Sequence, residues 1–249
     1  MEANVKPGIL AIDIGGTALK VAVIDDHGQL ISERMRTPTP RPCQPEQMLD
    51  ELAALAKSLP AYDRIAVGFP GVIRNARVQT AVNIGGAEWL DYPLADKIAA
   101  RFGHPVRLVN DADMQGFALI SGQGLEFVLT LGTGLGSALF LDGELMPHME
   151  LGHHPFYGDA TYEECLGAEA LKRIGVAQWN QHLERALHCV KVLLNADHIY
   201  LGGGNAKRVT LTLPKNVRIG SNDAGLAGGA ALWNGPAATR STDDSPSNR

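Results

Sequence analysis

Cysteine is scarce: Cys43, Cys165 and Cys189 are the only three in 249 residues. Three thiols so far apart make neither a disulfide framework nor a zinc cluster. They read as reduced, which points to the cytoplasm. Positive charge is not in excess either. The formal net charge is −5 at pH 7, which disfavours a general nucleic-acid surface and leaves room only for a local basic groove. No apolar run is long enough to span a bilayer, so no membrane association is expected. The first strand signal starts near Gly8, which leaves no room for a signal peptide. What remains is 45% hydrophobic and 20% charged residues, the make-up of an ordinary globular protein. The length suits one large domain or two small lobes.

The stretch Leu108-Val109-Asn110-Asp111-Ala112-Asp113 organises the rest. The apolar run from Val106 reads as a buried strand that ends abruptly in Asn110-Asp111, and 112–121 reads as a helix. Carboxylates at the mouth of a strand are costly to hold away from water, and they stand where ligands bind in open α/β sheets. Asp111 is therefore a candidate general base. The competing reading is that Asn110 or Asp111 caps the following helix.

Two glycine-rich hairpins flank that stretch. Gly8 to Asp13 is a strand entering Asp13-Ile14-Gly15-Gly16-Thr17-Ala18-Leu19-Lys20, and the apolar run resumes at Val21 to Ile24. A strand, not a helix, follows the glycines, which excludes both the Rossmann fingerprint and the Walker loop. Gly15 and Gly16 let backbone N–H groups approach an anion. Thr17 adds a hydroxyl, Lys20 a charge, and Asp13 a carboxylate able to hold Mg²⁺ through water. The alternative is a plain hairpin turn. Glu126 to Leu131 is a strand ending in Gly132-Thr133-Gly134-Leu135-Gly136, followed by a strand over 137–141, so the device is repeated. Two such loops suggest a clamp on a phosphate chain and a duplicated lobe, although no residue-level repeat is visible.

A third strand is expected over Leu30 to Met35, a Pro-rich extended segment over Thr37 to Pro45, and helices over 45–59 and 92–102. Between those helices, a strand from Arg64 ends in Phe69-Pro70-Gly71, and a loop carries Asn83, Gly85, Gly86 and Trp89, which suits either a polyol pocket or a surface turn. Glu150 and His153, flanked by Gly152, can converge on one ligand. Helices over 162–173 and 176–194 come next, the second with an apolar stripe that belongs to a core. A strand from Asp197 closes in Gly202-Gly203-Gly204-Asn205, beside the basic Lys207 and Arg208. After a short strand at 216–219 comes a small-residue helix at 224–233, and the Pro/Ser/Thr/Asp-rich remainder to Arg249 reads as a disordered tail.

Asp13 to Lys20, Gly68 to Gly71, Asn110-Asp111, Leu131 to Gly136, Glu150-Leu151-Gly152-His153 and Gly202 to Gly204 come in the order found in the ROK family of sugar kinases and repressors. The resemblance runs from about Gly8 to about Leu232. Thr130 to Phe140, Asp142-Gly143 and Glu150 to His153 together look like its polyphosphate glucokinase branch. The resemblance implies an α/β, actin-like ATPase (ribonuclease H-like) fold with two lobes around a cleft. Residues 1–111 would form the small lobe and 112–234 the large lobe, with helix 224–233 free to return to the small lobe, and 235–249 the tail.

By similarity, Asp13, Gly15, Gly16, Thr17 and Lys20 match the first phosphate motif, and Gly132, Thr133 and Gly134 the second. Gly202, Gly203 and Gly204 match a loop that faces the nucleoside in ATP users. Gly71, Asn83, Asn110, Asp111, Glu150 and His153 match sugar contacts, with Asp111 the catalytic base. A further family glutamate falls on Glu163, with Glu164 as competitor.

The implied reaction moves a phosphoryl group from polyphosphate and/or ATP, with Mg²⁺, to the 6-hydroxyl of glucose. Lys172, Arg173, Lys207, Arg208 and Lys215 are candidates for a polyphosphate track. Other acceptors (N-acetylmannosamine, fructose, allose) and a non-catalytic sugar sensor are the alternatives, and a homodimer is implied. Only Cys165 stands where ROK members carry a cysteine-rich zinc motif, so no structural zinc is expected. The early first strand disfavours a repressor's DNA-binding domain.

Overall fold

The computed structural model describes residues 7–220 and 224–234. The chain opens with β1 (Gly8–Ile14), β2 (Ala18–Ile24), β3 (Met35–Pro38), α1 (Pro45–Ala56) and β4 (Tyr62–Phe69). A two-strand ribbon, β5 (Ile73–Arg74) and β6 (Arg77–Val78), leads to α2 (Leu94–Phe102), β7 (Val106–Asn110) and α3 (Asp111–Phe117). Then come β8 (Leu125–Leu131), β9 (Leu135–Leu141), β10 (Glu144–Leu145), the ribbon β11 (Pro155–Tyr157) and β12 (Ala160–Thr161), α4 (Tyr162–Leu166) and α5 (Ala168–Leu194). The described residues close with β13 (His198–Gly202), β14 (Val217–Ile219), α6 (Ala224–Ala227) and α7 (Ala231–Asn234).

Two five-stranded sheets share one plan. Their orders are β3-β2-β1-β4-β7 and β10-β9-β8-β13-β14. In each, an antiparallel pair (β1–β2, β8–β9) is extended on one side by another antiparallel strand and on the other by two parallel strands. The repeated glycine hairpin is thus the turn between the first two strands of each sheet. Register sets what meets at the strand ends. Asp13 pairs with Gly68, and Phe69 with Asn110, so the first hairpin, the Phe69-Pro70-Gly71 turn and Asp111 emerge along one edge. Thr130 pairs with Gly202, which brings the second hairpin beside the Gly203-Gly204 loop.

Strand β1 reads as an unbroken apolar run because both faces of its sheet are covered. Leu10, Ile12, Met48, Leu52, Trp89 and Ile98 pack on one side. Ile9, Ala11, Ala22 and Ile24 pack on the other, against Leu226, Ala230 and Leu232 of the C-terminal helices. The second sheet packs Phe127, Leu129 and Leu201 on Trp179, Leu183 and Leu187 of α5. Helix α3 lies between the sheets. Met114 joins the first sheet's core, and Phe117 meets Phe140 edge-on at 5.0 Å.

Some elements depart from expectation. The third strand is Met35–Pro38, not 30–35. Leu30 makes only an isolated bridge to Ile24, and the Ser32 hydroxyl accepts the Val23 N–H at 2.8 Å, so a side chain takes the ladder's place. The edge position of β3 tolerates Pro38, since an edge strand can lack an N–H. The helix expected over 162–173 is split at Gly167 into α4 and the start of α5, while α5 breaks again at Gly175, whose φ of 76° no helix accommodates, so that the helix expected over 176–194 is its second part. The expected helix 112–121 ends at Phe117. The tail expected over 235–249 lies outside the described residues.

Candidate active site

Helix α3 begins where β7 ends, and the cap explains why. Asn110 is the N-cap: its side-chain oxygen accepts the Ala112 N–H at 2.8 Å, and Asp111 Oδ1 accepts the same donor at 2.9 Å. The capping reading therefore holds for Asn110 without displacing it from the cleft. Its amide also donates to the Gly71 carbonyl at 3.0 Å, which ties the Phe69-Pro70-Gly71 turn to the helix start.

These ends open into a cavity of about 440 Å³ between the two sheets. Of the residues singled out from the sequence, it is lined by Asp13, Gly15, Gly16, Lys20, Gly71, Asn83, Asn110, Asp111, Gly132, Thr133, Gly134, Glu150, His153, Glu163, Gly203 and Gly204. Thr17 is not among the lining residues. Its hydroxyl lies 2.9 Å from that of Thr133, so the two glycine hairpins touch across the cleft. Gly202 does not line the cavity either: it is buried at the end of β13 against Gln115 and Leu119, where its lack of a side chain serves packing. The glycine amides are not all free. Gly15 N–H donates to Ala18 O and Gly132 N–H to Gly134 O, both at 3.0 Å, so the first glycine of each loop closes its own turn.

Glu163, not Glu164, reaches the cavity. Glu164 completes a capping box with Thr161 at the start of α4, a Thr-x-x-Glu pattern visible in the sequence. Glu163 Oε2 accepts from the Leu135 N–H at 3.2 Å and from Asn83 at 3.4 Å, which bridges the two sides of the cleft. A Cβ at Gly134 would stand 2.0 Å from Glu163 Oε2, so a side chain there would displace the Glu163 carboxylate from its present position.

Asp111 is electrostatically distinct. Burial, then the nearby carboxylate of Asp13, and more weakly that of Asp113, push its pKa from 3.8 to about 7, against the pull of the Ala112 N–H and of His148. A carboxylate poised near neutrality suits proton abstraction at that pH. If it is the base, kcat falls about tenfold per pH unit on the acid side and levels off above about 7, because only the deprotonated form accepts a proton. Initial rates across pH 5 to 9 check this. A flat profile down to pH 5 would remove Asp111 from that role.

Two residues escaped the sequence reading. Arg41 donates to the Gly16 carbonyl at 3.0 Å and so touches the first hairpin. His148 lies between Asp113 and Glu150, 3.1 Å from each. None of Lys172, Arg173, Lys207, Arg208 and Lys215 lines the cavity. Lys172 pairs with Glu169, and Arg173 donates to the Glu164 carbonyl. The stretch after His153 forms the β11–β12 ribbon, where Phe156 stacks on Tyr162 at 4.2 Å. Among the described residues no three His, Cys, Asp or Glu side chains converge to hold a metal, and Cys165 is buried. No helix among them is long and apolar enough to cross a membrane.

Two sheets of one topology, each presenting a glycine hairpin to a shared cleft with a carboxylate at its floor, define a phosphotransferase of the actin-like ATPase fold. The ROK family model matches residues 9–170, and the chain belongs to that family. A polyphosphate glucokinase of Mycobacterium tuberculosis is 30% identical over 212 residues, 82% of this chain and 80% of that protein. An N-acetylmannosamine kinase of Escherichia coli is 35% identical over 144 residues, 55% of this chain and 48% of that protein. The crystal structure of an inorganic polyphosphate/ATP-glucomannokinase from an Arthrobacter species superposes with a TM-score of 0.83 at 33% identity, covering 92% of this chain and 99% of that one.

Proposed function

We propose that this chain is a hexose kinase that transfers the terminal phosphoryl group of polyphosphate or ATP to the 6-hydroxyl of glucose. The observation that carries it is the setting of Asp111. It stands at the floor of one cavity, with Asn83, Asn110, Glu150, His153 and Glu163 on its walls and both glycine hairpins facing them. Similarity to the mycobacterial polyphosphate glucokinase and the Arthrobacter glucomannokinase supports the acceptor and both donors.

In this reading the sugar is held by the five polar side chains, which can donate to and accept from its hydroxyls. Asp111 takes the 6-hydroxyl proton as the new O–P bond forms and the bond to the leaving phosphate breaks. The developing charge meets the amides of Gly16, Thr133 and Gly134, since those of Gly15 and Gly132 are occupied. Lys20, whose ammonium lies 2.8 Å from Asp13, adds a cation at the donor end. One carboxylate beside a phosphate cradle is a donor set that suits Mg²⁺, which keeps several waters and takes its other ligands from phosphate. Asp13 would hold it through water, and the ion would neutralise phosphate charge.

Residues 1–111 and 112–234 form the two lobes in this reading, and contact of Leu226, Ala230 and Leu232 with the first sheet supports return of the last helix to the small lobe. A homodimer rests on family resemblance, and a cytoplasmic location on the three free thiols.

A coupled assay for glucose 6-phosphate, with Mg²⁺ and either donor, tests the reading. Turnover with polyphosphate or ATP is the expected result. No product with either donor, while N-acetylmannosamine or another hexose is phosphorylated, would move the acceptor to the runner-up that the Escherichia coli relative favours. No turnover of any sugar would leave the sensor reading.

A further inference from the structure

A chain of four ionisable side chains runs from helix α3 to the cleft. His148 Nδ1 lies 3.1 Å from both carboxylate oxygens of Asp113, and its Nε2 lies 3.1 Å from Glu150 Oε1. Glu150 Oε2 lies 3.1 Å from His153 Nδ1. Asp113 and His148 are almost fully enclosed, with 4% and 9% of their side chains exposed, while Glu150 and His153 are open to the cavity at 31% and 38%. Both ring nitrogens of His148 face carboxylate oxygens. A neutral imidazole carries one N–H and could satisfy only one of them. Burial disfavours the charged ring, but hydrogen bonds to the two carboxylates outweigh it and hold the ring as an imidazolium, and the cation in turn keeps the Glu150 carboxyl below the usual carboxylate range.

The placement of the charged ring matters as well. Asp113 follows Asp111 by two residues on α3, so the helix that carries the proposed base also anchors the ring. Glu150 and His153 sit on a loop 37 or more positions further along the chain, with no strand pairing to fix them. With Oε1 tied to His148 and Oε2 to His153, the Glu150 carboxylate has one orientation. A His153 that donates from Nδ1 presents Nε2 as an acceptor to whatever fills the cleft.

We propose that His148 is a positioning residue for the sugar site: its ring clamps the Glu150 carboxylate to Asp113, so that Glu150, His153 and Asp111 move as one body. The proposal rests on the hexose-kinase reading. It concerns a side chain that touches no substrate and acts through Glu150.

Three variants of the full chain separate positioning from a merely structural role. His148→Ala removes both contacts, His148→Asn keeps an amide where Nδ1 stands, and His148→Gln keeps one where Nε2 stands. Expected for H148A is a sugar KM raised about 10–100-fold, the cost of losing a hydrogen bond to a buried charge, with donor KM unchanged. H148Q should recover only part of that loss, because it keeps the Glu150 contact without the anchor to Asp113, and H148N little of it. A lowered melting temperature with sugar KM within twofold of wild type in all three would overturn the proposal. If the variants do not fold, ¹⁵N shifts of the wild-type ring decide: two protonated nitrogens at pH 8 support the clamp, and a neutral ring overturns it. A wild-type protein that phosphorylates no hexose would instead remove the hexose-kinase reading on which the clamp depends.

Discussion

Asp111→Asn is expected to lower kcat by about 10²–10⁴-fold, the usual contribution of a positioned base, while sugar KM stays within a few-fold and the protein becomes more stable. The first two effects follow from isosteric replacement. The amide oxygen still accepts the Ala112 N–H, so the start of α3 is kept, but it takes no proton. The third follows from linkage. Asp111 has a folded pKa of about 7 against an ordinary 3.8, so between these values the folded chain holds a proton that the unfolded chain releases. Stability contributed by this group is therefore present at low pH and is lost as pH rises toward about 7. At neutral pH the charged carboxylate opposes folding. Because Asp111 opens onto the cavity, screening reduces the penalty to about 1 kcal/mol. Relief of that amount raises Tm by about 2–4 °C in a domain of this size. Turnover and thermal melts of D111N at pH 7.5 check both. A variant with kcat within tenfold of wild type would sink the base assignment, and an unchanged Tm at reduced kcat would mean that the charge is better compensated than its surroundings imply.

That much of the site was legible in sequence has a local cause. A glycine hairpin, a strand ending in Asn-Asp, and a Glu-x-Gly-His loop each announce themselves within eight residues, and parallel register brings strand ends together. The choice between Glu163 and Glu164 stayed open in the sequence, although a local signal bears on it. Thr161 and Glu164 form a capping box three residues apart, which leaves Glu163 for the cleft. What could not be read is non-local. His148 and Asp113 are 35 positions apart, and nothing in either neighbourhood marks the pair. Arg41 sits in a Pro-rich segment whose role depends on an edge strand lying beside the first hairpin, where Thr39 also holds the Gly15 carbonyl at 2.6 Å. The misplaced third strand has the same root. Leu30-Ile31 looks apolar enough for a strand, yet both residues are about two-fifths exposed, and the Ser32 hydroxyl interrupts the ladder.

Helix α3 is the element on which both sheets depend, and it is held in place from outside the cavity as well. Gly228, in the turn between α6 and α7, packs so closely that an added Cβ would lie 1.7 Å from the Met114 carbonyl oxygen. That obstacle is helix backbone, which cannot rotate away as a side-chain tip can. Gly228→Ala must therefore push the C-terminal helices away from α3, or α3 away from the first sheet, loosening Leu226, Ala230 and Leu232 from Ile9, Ala11 and Ile24. Overpacking of this kind costs about 2–3 kcal/mol, a fall in Tm of about 5–10 °C. Met114 is three residues beyond Asp111, so the displacement also reaches the proposed base. A shift of about 1 Å in a reacting group can cost up to about 10²-fold, and kcat should fall by tenfold or more with the sugar and donor contacts intact. The two losses separate by temperature. Assayed at 15 °C, well below its transition, G228A is fully folded, so a kcat still depressed there reports misplacement and not unfolding. Wild-type kcat at 15 °C with a lowered Tm would show that the C-terminal helices stabilise the first sheet without setting where Asp111 stands.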